Sequence, residues 1–153
     1  MKGINTIEAK IGYTFKDKDL LIQAFTRKSY TNEHPEAANN ELLEHLGDRV
    51  LGLVIDTLLI DGNSLDTCFT NNLGAINDEF QSETKNEFLA EQMRRFELHE
   101  FMRVSNGDIT EGVREGDKAL SDLLESIVGA VWKDSERDYS SAETVVKTLL
   151  NLD

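Results

Sequence analysis

Residues 40–52 read Asn-Glu-Leu-Leu-Glu-His-Leu-Gly-Asp-Arg-Val-Leu-Gly, and their pattern is that of a partly buried helix. On a helical wheel at 100° per residue, Glu41, Glu44 and Asp48 fall within about 60° of one another. The opposite side is predicted to be apolar, with Leu42, Leu43, Leu46, Val50, Leu53 and Val54. Leu51 and Ile55 then follow on the acidic side, so the helix becomes apolar all round, as buried helices do. We therefore expect the three acids at the rim of a helix that enters the core.

A second segment, near residue 122, repeats this pattern. Asp122 and Glu125 are spaced i, i+3, and Gly129 continues their stripe, while the remaining positions are mostly apolar. Like charges in a half-buried site repel each other, and a hard divalent cation such as Mg²⁺ relieves the repulsion because it prefers carboxylate oxygens. The residues alone leave two interpretations open: a metal site built by five acids of two helices, or a solvated acidic edge.

Composition predicts one all-α domain over residues 1–153. The chain has 153 residues with a single proline, and helix-forming residues are frequent throughout. Helices are predicted over residues 4–11, 39–60, 117–133 and 140–151. A further helix is predicted to begin after its cap Asp17, and two or three more fit between Leu65 and Arg103. The first helix is expected to end at Gly12. A loop containing Pro35, a break over residues 61–64 and a glycine-rich loop over 106–116 separate them.

Charge and cysteine content narrow the possible functions. Sixteen Lys and Arg against 29 Asp and Glu give a net charge of −13, which excludes a nucleic-acid binder that relies on its overall field. Any nucleic-acid function must therefore use a local feature such as a metal cluster. The single cysteine, Cys68, cannot form an intrachain disulfide and is expected to be an ordinary, partly buried side chain. With no apolar run of about 18 residues, we expect a cytoplasmic protein with no membrane span.

Residues 40–52 resemble the signature helix of the ribonuclease III family, in which an Asn-Glu-x-Leu-Glu-x-Leu-Gly-Asp run is diagnostic. Residues 120–130 resemble the family's downstream Asp-x-x-Glu helix. The segment 86–90, Asn-Glu-Phe-Leu-Ala, is similar to its Asn-x-x-Leu-Ala segment, and residues 12–15 and 29–30 also stand in family-like positions. The likeness covers essentially the whole chain, in order.

The resemblance implies a metal-dependent endoribonuclease that hydrolyses phosphodiester bonds of double-stranded RNA. It further implies an all-α ribonuclease III-like domain that works as a homodimer, with one strand cut per subunit site. The residues that match the family's catalytic and metal-binding acids are Glu44, Asp48, Asp122 and Glu125, and Glu41 matches an accessory acid. The implied cofactor is Mg²⁺, with Mn²⁺ as a substitute. Arg49 and Lys118, beside these acids, are predicted RNA phosphate contacts.

The chain also departs from the family pattern. His45 stands where the family usually has a Phe associated with the dimer seam, and Arg49 replaces a small Ser. The family's Thr-His-Arg-Ser stretch reads Thr-Arg-Lys-Ser at 26–29, a change expected to alter only local packing. Many members carry a further double-stranded-RNA-binding domain, so a chain ending at Asp153 is expected to be a stand-alone member or a truncated one, with weak, salt-sensitive RNA binding. The alternative function is a catalytically inactive, ribonuclease III-fold RNA-binding or ribosome-associated structural protein.

Overall fold

The computed structural model describes residues 1–61, 78, 81 and 85–152. In these ranges the α-helices are α1 (Ile4–Ile11), α2 (Lys18–Ala24), α3 (Lys28–Glu33), α4 (Glu41–Asp61), α5 (Asn86–Arg94), α6 (Asn106–Thr110), α7 (Asp117–Asp134) and α8 (Tyr139–Leu150). Short 3₁₀ helices span Leu98–Phe101 and Val113–Glu115. Extended pairing over these residues is confined to an isolated parallel bridge between Thr26 and Arg103. The predicted all-α class is confirmed.

Helix α7 is the centre of the fold, and α4 packs along it. From Ala119 to Val131 every residue of α7 is buried except Glu125, which is half-buried. Helices α2, α5 and α8 cover the other sides of α7. Removing this much apolar surface from water is the main source of stability, because each large aliphatic side chain contributes about 1.5–3 kcal/mol when fully buried.

Two glycines allow α4 and α7 to cross with their backbones in contact. A Cβ atom on Gly47 would overlap the carbonyl oxygen of Glu125, and one on Gly129 would overlap the carbonyl oxygen of Leu43. Only glycine leaves room for such an approach. The crossing therefore brings the side chains that flank Gly47 on α4 close to Glu125 on α7.

The segment between α2 and α3 is tied to both central helices by buried hydrogen bonds. The carbonyl oxygen of Ala24 accepts from Asn40 Nδ2 at 3.2 Å and from Ser126 Oγ at 2.8 Å. The amide of Asn40 donates to the carbonyl oxygen of Thr26 at 2.8 Å. Asn40 and Thr26 are both buried. These bonds fix the start of α3 relative to α4 and α7.

Asp134, at the end of α7, holds the segment between α1 and α2. Its buried carboxylate accepts from Tyr13 Oη at 2.8 Å and from the amides of Lys16 at 2.9 Å and Asp17 at 2.8 Å. Burial opposes the charged carboxylate, but the amides of Asp17 and Lys16 outweigh it, and the pKa of Asp134 is lowered. A carboxylate suits this position because its two oxygens can accept all three of these hydrogen bonds.

Most of the predicted helix boundaries agree with the structure to within two residues. Helix α1 ends at Gly12, which has a φ of 73°, and the Asp17 side chain caps α2 by accepting from the amide of Asp19. Helices α3 and α6, in contrast, lie where only loops were predicted. Neither of them contains a buried residue, so neither has the apolar periodicity from which helices are predicted.

The apolar side predicted for α4 is wrong at two positions. Leu43, Val50 and Val54 are buried, but Leu42 is 80% exposed and Leu53 is 50% exposed. Because α7 packs on the side of Gly47, Leu42 and Leu53 fall outside the contact. Together with Ile60, 56% exposed, they lie within about 20° on the helical wheel. Helix α4 therefore has two apolar sides, of which one is covered by the residues that the structure describes.

Several predictions lie outside the described residues. They concern the helix break at 62–64, the environment of Cys68 and any helix between Leu65 and residue 77. In the described part of the 65–103 interval, α5 and the 3₁₀ helix Leu98–Phe101 are present. Of the helices that the structure describes, none has the length and apolar character that a bilayer span requires.

Candidate metal centre

Three carboxylates from α4 and α7 meet at the glycine crossing. Glu44, Asp122 and Glu125 each offer a carboxylate oxygen, and these three oxygens lie within 4.8 Å of one another. Asp122 is buried, whereas Glu44 and Glu125 are half-buried. Glu44 thus forms one compact acidic cluster with two side chains that lie 78 and 81 positions later in the sequence.

The two other predicted acids lie beside this cluster. Asp48 and Glu41 line an open cavity of about 320 Å³ together with Glu44 and Glu125. Both side chains are about half exposed, 49% for Asp48 and 51% for Glu41. Asp48 forms an ion pair with Arg49, its neighbour in sequence. The structure therefore brings all five predicted acids to one region, with oxygens of three within 4.8 Å of one another and the other two acids on the rim.

The cluster makes its own acids harder to ionise. The pKa of Glu125 is raised from 4.5 to about 8, first by burial and then by the negative charges of Asp48 and Asp122. Burial and the charge of Asp122 also raise the pKa of Glu44, against the opposing effect of Lys118. Strongly raised carboxyl pKa values are typical of functional sites.

Lys118 is a cation in contact with the cluster. Its Nζ atom lies 2.5 Å from Oδ1 of Asp122 and 3.5 Å from Oε1 of Glu44. The contact with Asp122 raises the pKa of the Lys118 ammonium, although its partial burial opposes this. The side chain of Lys118 is 68% exposed, so the lysine can leave the carboxylates without a change in the core. Arg49, the other predicted phosphate contact, is also 68% exposed, on the rim.

Arg27 is a site residue that sequence reasoning missed. Its Nη1 atom lies 3.3 Å from Oδ2 of Asp122, and its side chain is 20% exposed. Residues 26–29 were expected to affect local packing alone, but Arg27 and Lys28 both line a 310 Å³ cavity that includes Glu44 and Asp122. Arg27 and Asp122 are 95 positions apart in the sequence, so no local pattern indicates this contact.

The residues fit a hard divalent cation. All three groups of the cluster are carboxylates, which Mg²⁺ and Mn²⁺ favour, and the open cavities beside them leave room for retained water. The pKa of Glu125 is raised first by burial and then by the negative charges of Asp48, Asp122 and Glu44, and Lys118 offsets only part of this rise. A divalent ion would supply the missing positive charge.

Comparison with known proteins assigns the family. The family model described as Ribonuclease-III-like matches residues 17–152. The chain belongs to the ribonuclease III family. The recognition made from the signature segment is confirmed.

Curated relatives of this family align with almost the whole chain. Ribonuclease 3 of Treponema succinifaciens is 33% identical over 158 residues, which cover 99% of this chain and 42% of that protein. Ribonuclease 3 of Photorhabdus laumondii is 35% identical over 144 residues, which cover 94% of this chain and 58% of that protein. The chain thus spans about half the length of the curated relatives it matches.

A solved ribonuclease III nuclease domain has the same fold. The nuclease domain of ribonuclease III from Campylobacter jejuni superposes with a TM-score of 0.85 at 32% identity, over 99% of this chain and 95% of that one. A second structure of that domain gives a TM-score of 0.84 at 30% identity, over 97% of this chain and 96% of that one. It is described for structural flexibility in a region involved in dimer formation. These matches extend across both α4 and α7.

Proposed function

We propose that this chain is the nuclease domain of a ribonuclease III enzyme, a metal-dependent endoribonuclease that hydrolyses phosphodiester bonds of double-stranded RNA. The observation that carries this proposal is the meeting of Glu44, Asp122 and Glu125 within 4.8 Å at the crossing of α4 and α7. The proteins of this family named Ribonuclease 3 support a hydrolytic reaction on RNA. Residues 1–153 act as one domain in this proposal, in the cytoplasm.

The proposed cofactor is Mg²⁺, with Mn²⁺ as a substitute. Glu44, Asp122 and Glu125 would hold the ion, and Asp48 would join them from the rim. When bound, one or two such ions supply the positive charge that activates water and stabilises the phosphoryl oxygens. Glu41 is assigned as an accessory acid, because it lines the same cavity but is directed to Lys28, 3.0 Å away.

The chain's own residues prepare this centre in two ways. Asp122 is buried and Glu125 is half-buried on α7, so their carboxylates are partly shielded from water and would interact with a cation more strongly than in bulk water. Lys118 compensates part of their charge and, being exposed, is free to turn to an RNA phosphate. Arg49 is the second proposed phosphate contact. With a net charge of −13 on the chain, such local cations have to provide the attraction to RNA.

The proposed enzyme is a homodimer. Leu42, Leu53 and Ile60 form an exposed apolar stripe on α4, which is the helix that carries Glu44 and Asp48. Exposed apolar surface of this kind favours association with a partner. Dimer formation by the related Campylobacter jejuni domain supports a second copy of this chain as that partner. His45, exposed near this stripe, replaces the aromatic residue of the family. Each subunit would then cut one strand.

The proposal is tested by cleavage of labelled duplex RNA. The wild-type protein with Mg²⁺ should cut the duplex and leave a single strand of the same sequence intact. Glu125→Gln should abolish cleavage, because the amide keeps the shape but loses the ligand charge. Glu91→Gln, an exposed position on α5, is the matched control and should cleave like the wild type. An absence of cleavage by the wild type with both Mg²⁺ and Mn²⁺ would contradict the proposal and favour the inactive, RNA-binding alternative.

A further inference from the structure

The two oxygens of Asp122 have different partners. Oδ2 lies 3.3 Å from Arg27 Nη1, whereas Oδ1 lies 2.5 Å from Lys118 Nζ. The same lysine lies 3.5 Å from Glu44, so Oδ1 is the oxygen that shares a cation with a second acid of the cluster. Asp122 therefore directs one oxygen to Arg27 and the other toward Glu44.

Arg27 and Lys118 differ in how firmly they are held. The side chain of Arg27 is 20% exposed and that of Lys118 is 68% exposed. The backbone of Arg27 is fixed by its amide, which donates to the carbonyl oxygen of Arg103 at 2.9 Å. The preceding residue, Thr26, is bound by the amide of Asn40 immediately before α4. Arg27 is therefore the more firmly held of the two cations in contact with Asp122.

We propose that Arg27 is a positioning residue that fixes Asp122 as a one-oxygen metal ligand. Its guanidinium holds Oδ2, so that Oδ1 remains directed toward Glu44 and would be the oxygen available to a metal ion. This inference rests on the proposed metal-dependent function and adds a residue to it. Hydrogen bonds to a ligating carboxylate orient it, and the loss of such a bond typically weakens metal binding or activity about 10- to 100-fold.

Positioning and simple charge effects predict opposite changes in metal affinity. If Arg27 acted through its charge alone, its removal would tighten metal binding, because like charges repel. If Arg27 positions Asp122, its removal weakens metal binding, although the site becomes more negative. The sign of the change therefore separates the two roles.

Lys28 offers a matched control. It follows Arg27 in the sequence and lines the same 310 Å³ cavity, but its Nζ atom lies 3.0 Å from Glu41 rather than from Asp122. Arg27→Met and Lys28→Met remove the same charge from the same cavity, and only Arg27→Met removes a bond to Asp122.

The experiment is a titration of metal-free protein with Mn²⁺, in which the electron paramagnetic resonance signal reports free Mn²⁺. Arg27→Met should bind Mn²⁺ about tenfold or more weakly than the wild type. Lys28→Met should bind at least as tightly as the wild type. Binding by Arg27→Met that equals or exceeds wild-type binding would overturn the inference, and so would equal weakening by the two variants.

Two further arms keep the result interpretable. Circular dichroism checks the fold, and Arg27→Lys replaces Arg27→Met if the latter does not fold. The lysine keeps the charge but has a shorter reach, so weaker Mn²⁺ binding is again expected, and wild-type affinity would overturn the inference. A wild-type protein that binds Mn²⁺ but cuts no RNA would contradict the proposed function. The Mn²⁺ affinities of Arg27→Met and Lys28→Met would still test the role of Arg27. A wild type that binds no Mn²⁺ would overturn both.

Discussion

Gly47 faces the carbonyl oxygen of Glu125 so closely that a Cβ atom on Gly47 would overlap it. The contact brings the helix with Glu44 against the helix with Asp122 and Glu125. The glycine in the signature segment therefore has a direct consequence for the acidic cluster, because it sets the separation of the two helices that supply its carboxylates.

Gly47→Ala should separate α4 from α7. The new methyl group meets backbone atoms of Glu125 rather than the end of a flexible side chain, so the helices themselves must move. We expect a loss of about 2 kcal/mol or more in the free energy of unfolding, which is typical of an overpacked core, together with weaker Mn²⁺ binding. Urea denaturation measures the first effect. Gly107→Ala is the control, because its Cβ would meet only Ser105 Oγ at 3.8 Å. An equal loss of unfolding free energy in both variants would contradict this account.

The metal-free protein should become less stable as the pH rises from about 4.5 toward 8. The pKa of Glu125 is raised in the folded state from 4.5 to about 8, so between these values the folded protein binds more protons than the unfolded one. Stability then falls with increasing pH, and the fall is complete above the folded pKa. Thermal unfolding at several pH values measures it. Glu125→Gln should flatten this part of the profile, and a variant profile parallel to that of the wild type would count against the assignment.

Added Mg²⁺ should stabilise the wild-type protein against heat. A ligand that binds the folded state alone adds about 2.7 kcal/mol when its concentration is 100 times its dissociation constant. Asp122→Asn and Glu125→Gln should each lose most of this increase, because each removes one close carboxylate. Melting curves recorded with and without Mg²⁺ provide the measurement. If Mg²⁺ raised the melting temperature of both variants as much as that of the wild type, the ion would bind outside this cluster.

Asp134→Asn should destabilise the protein at neutral pH. The amide cannot accept well from all three donors of Tyr13, Lys16 and Asp17, so we expect a loss of about 1–3 kcal/mol. Because the pKa of Asp134 is lowered in the folded state, its contribution is present above the ordinary value of 3.8 and is lost as the pH falls below it. Urea denaturation at neutral and acidic pH tests both points. Glu136→Gln, at an exposed site nearby, should have little effect.

Leu53→Glu should prevent self-association. The leucine is 50% exposed on the apolar stripe of α4, and a charge there would be buried without a partner in the proposed dimer. Sedimentation velocity at micromolar concentration should show a dimer for the wild type and a monomer for the variant. Ile109→Glu introduces the same charge at an apolar residue of α6 that is 49% exposed, and it should remain dimeric. A monomeric wild type would contradict the homodimer.

The sequence predicts the long helices and the acidic residues well, because both depend on local spacing. Gly12 and Asp17 mark helix ends by their own backbone and side-chain chemistry, and the i, i+3 pairs of acids appear on any helical wheel. Leu42 and Leu53 were misplaced because hydrophobicity cannot distinguish a side covered by α7 from a side left exposed.

Long-range contacts set the limit of prediction at the site. Nothing around Arg27 indicates that it reaches Asp122, since the contact depends on hydrogen bonds that fix α3 against α4. Gly129 was noted as part of the acidic stripe, but its close approach to Leu43 requires the position of a second helix. The acids that meet in the cluster were thus predictable, and the contacts of Arg27 and of the two glycines were not.

The most direct test is anomalous diffraction from crystals soaked in Mn²⁺. A shared ion should give an anomalous peak between α4 and α7, at bonding distance from carboxylate oxygens of Glu44, Asp122 and Glu125. Well-ordered crystals at saturating Mn²⁺ with no peak among these three carboxylates would contradict the account.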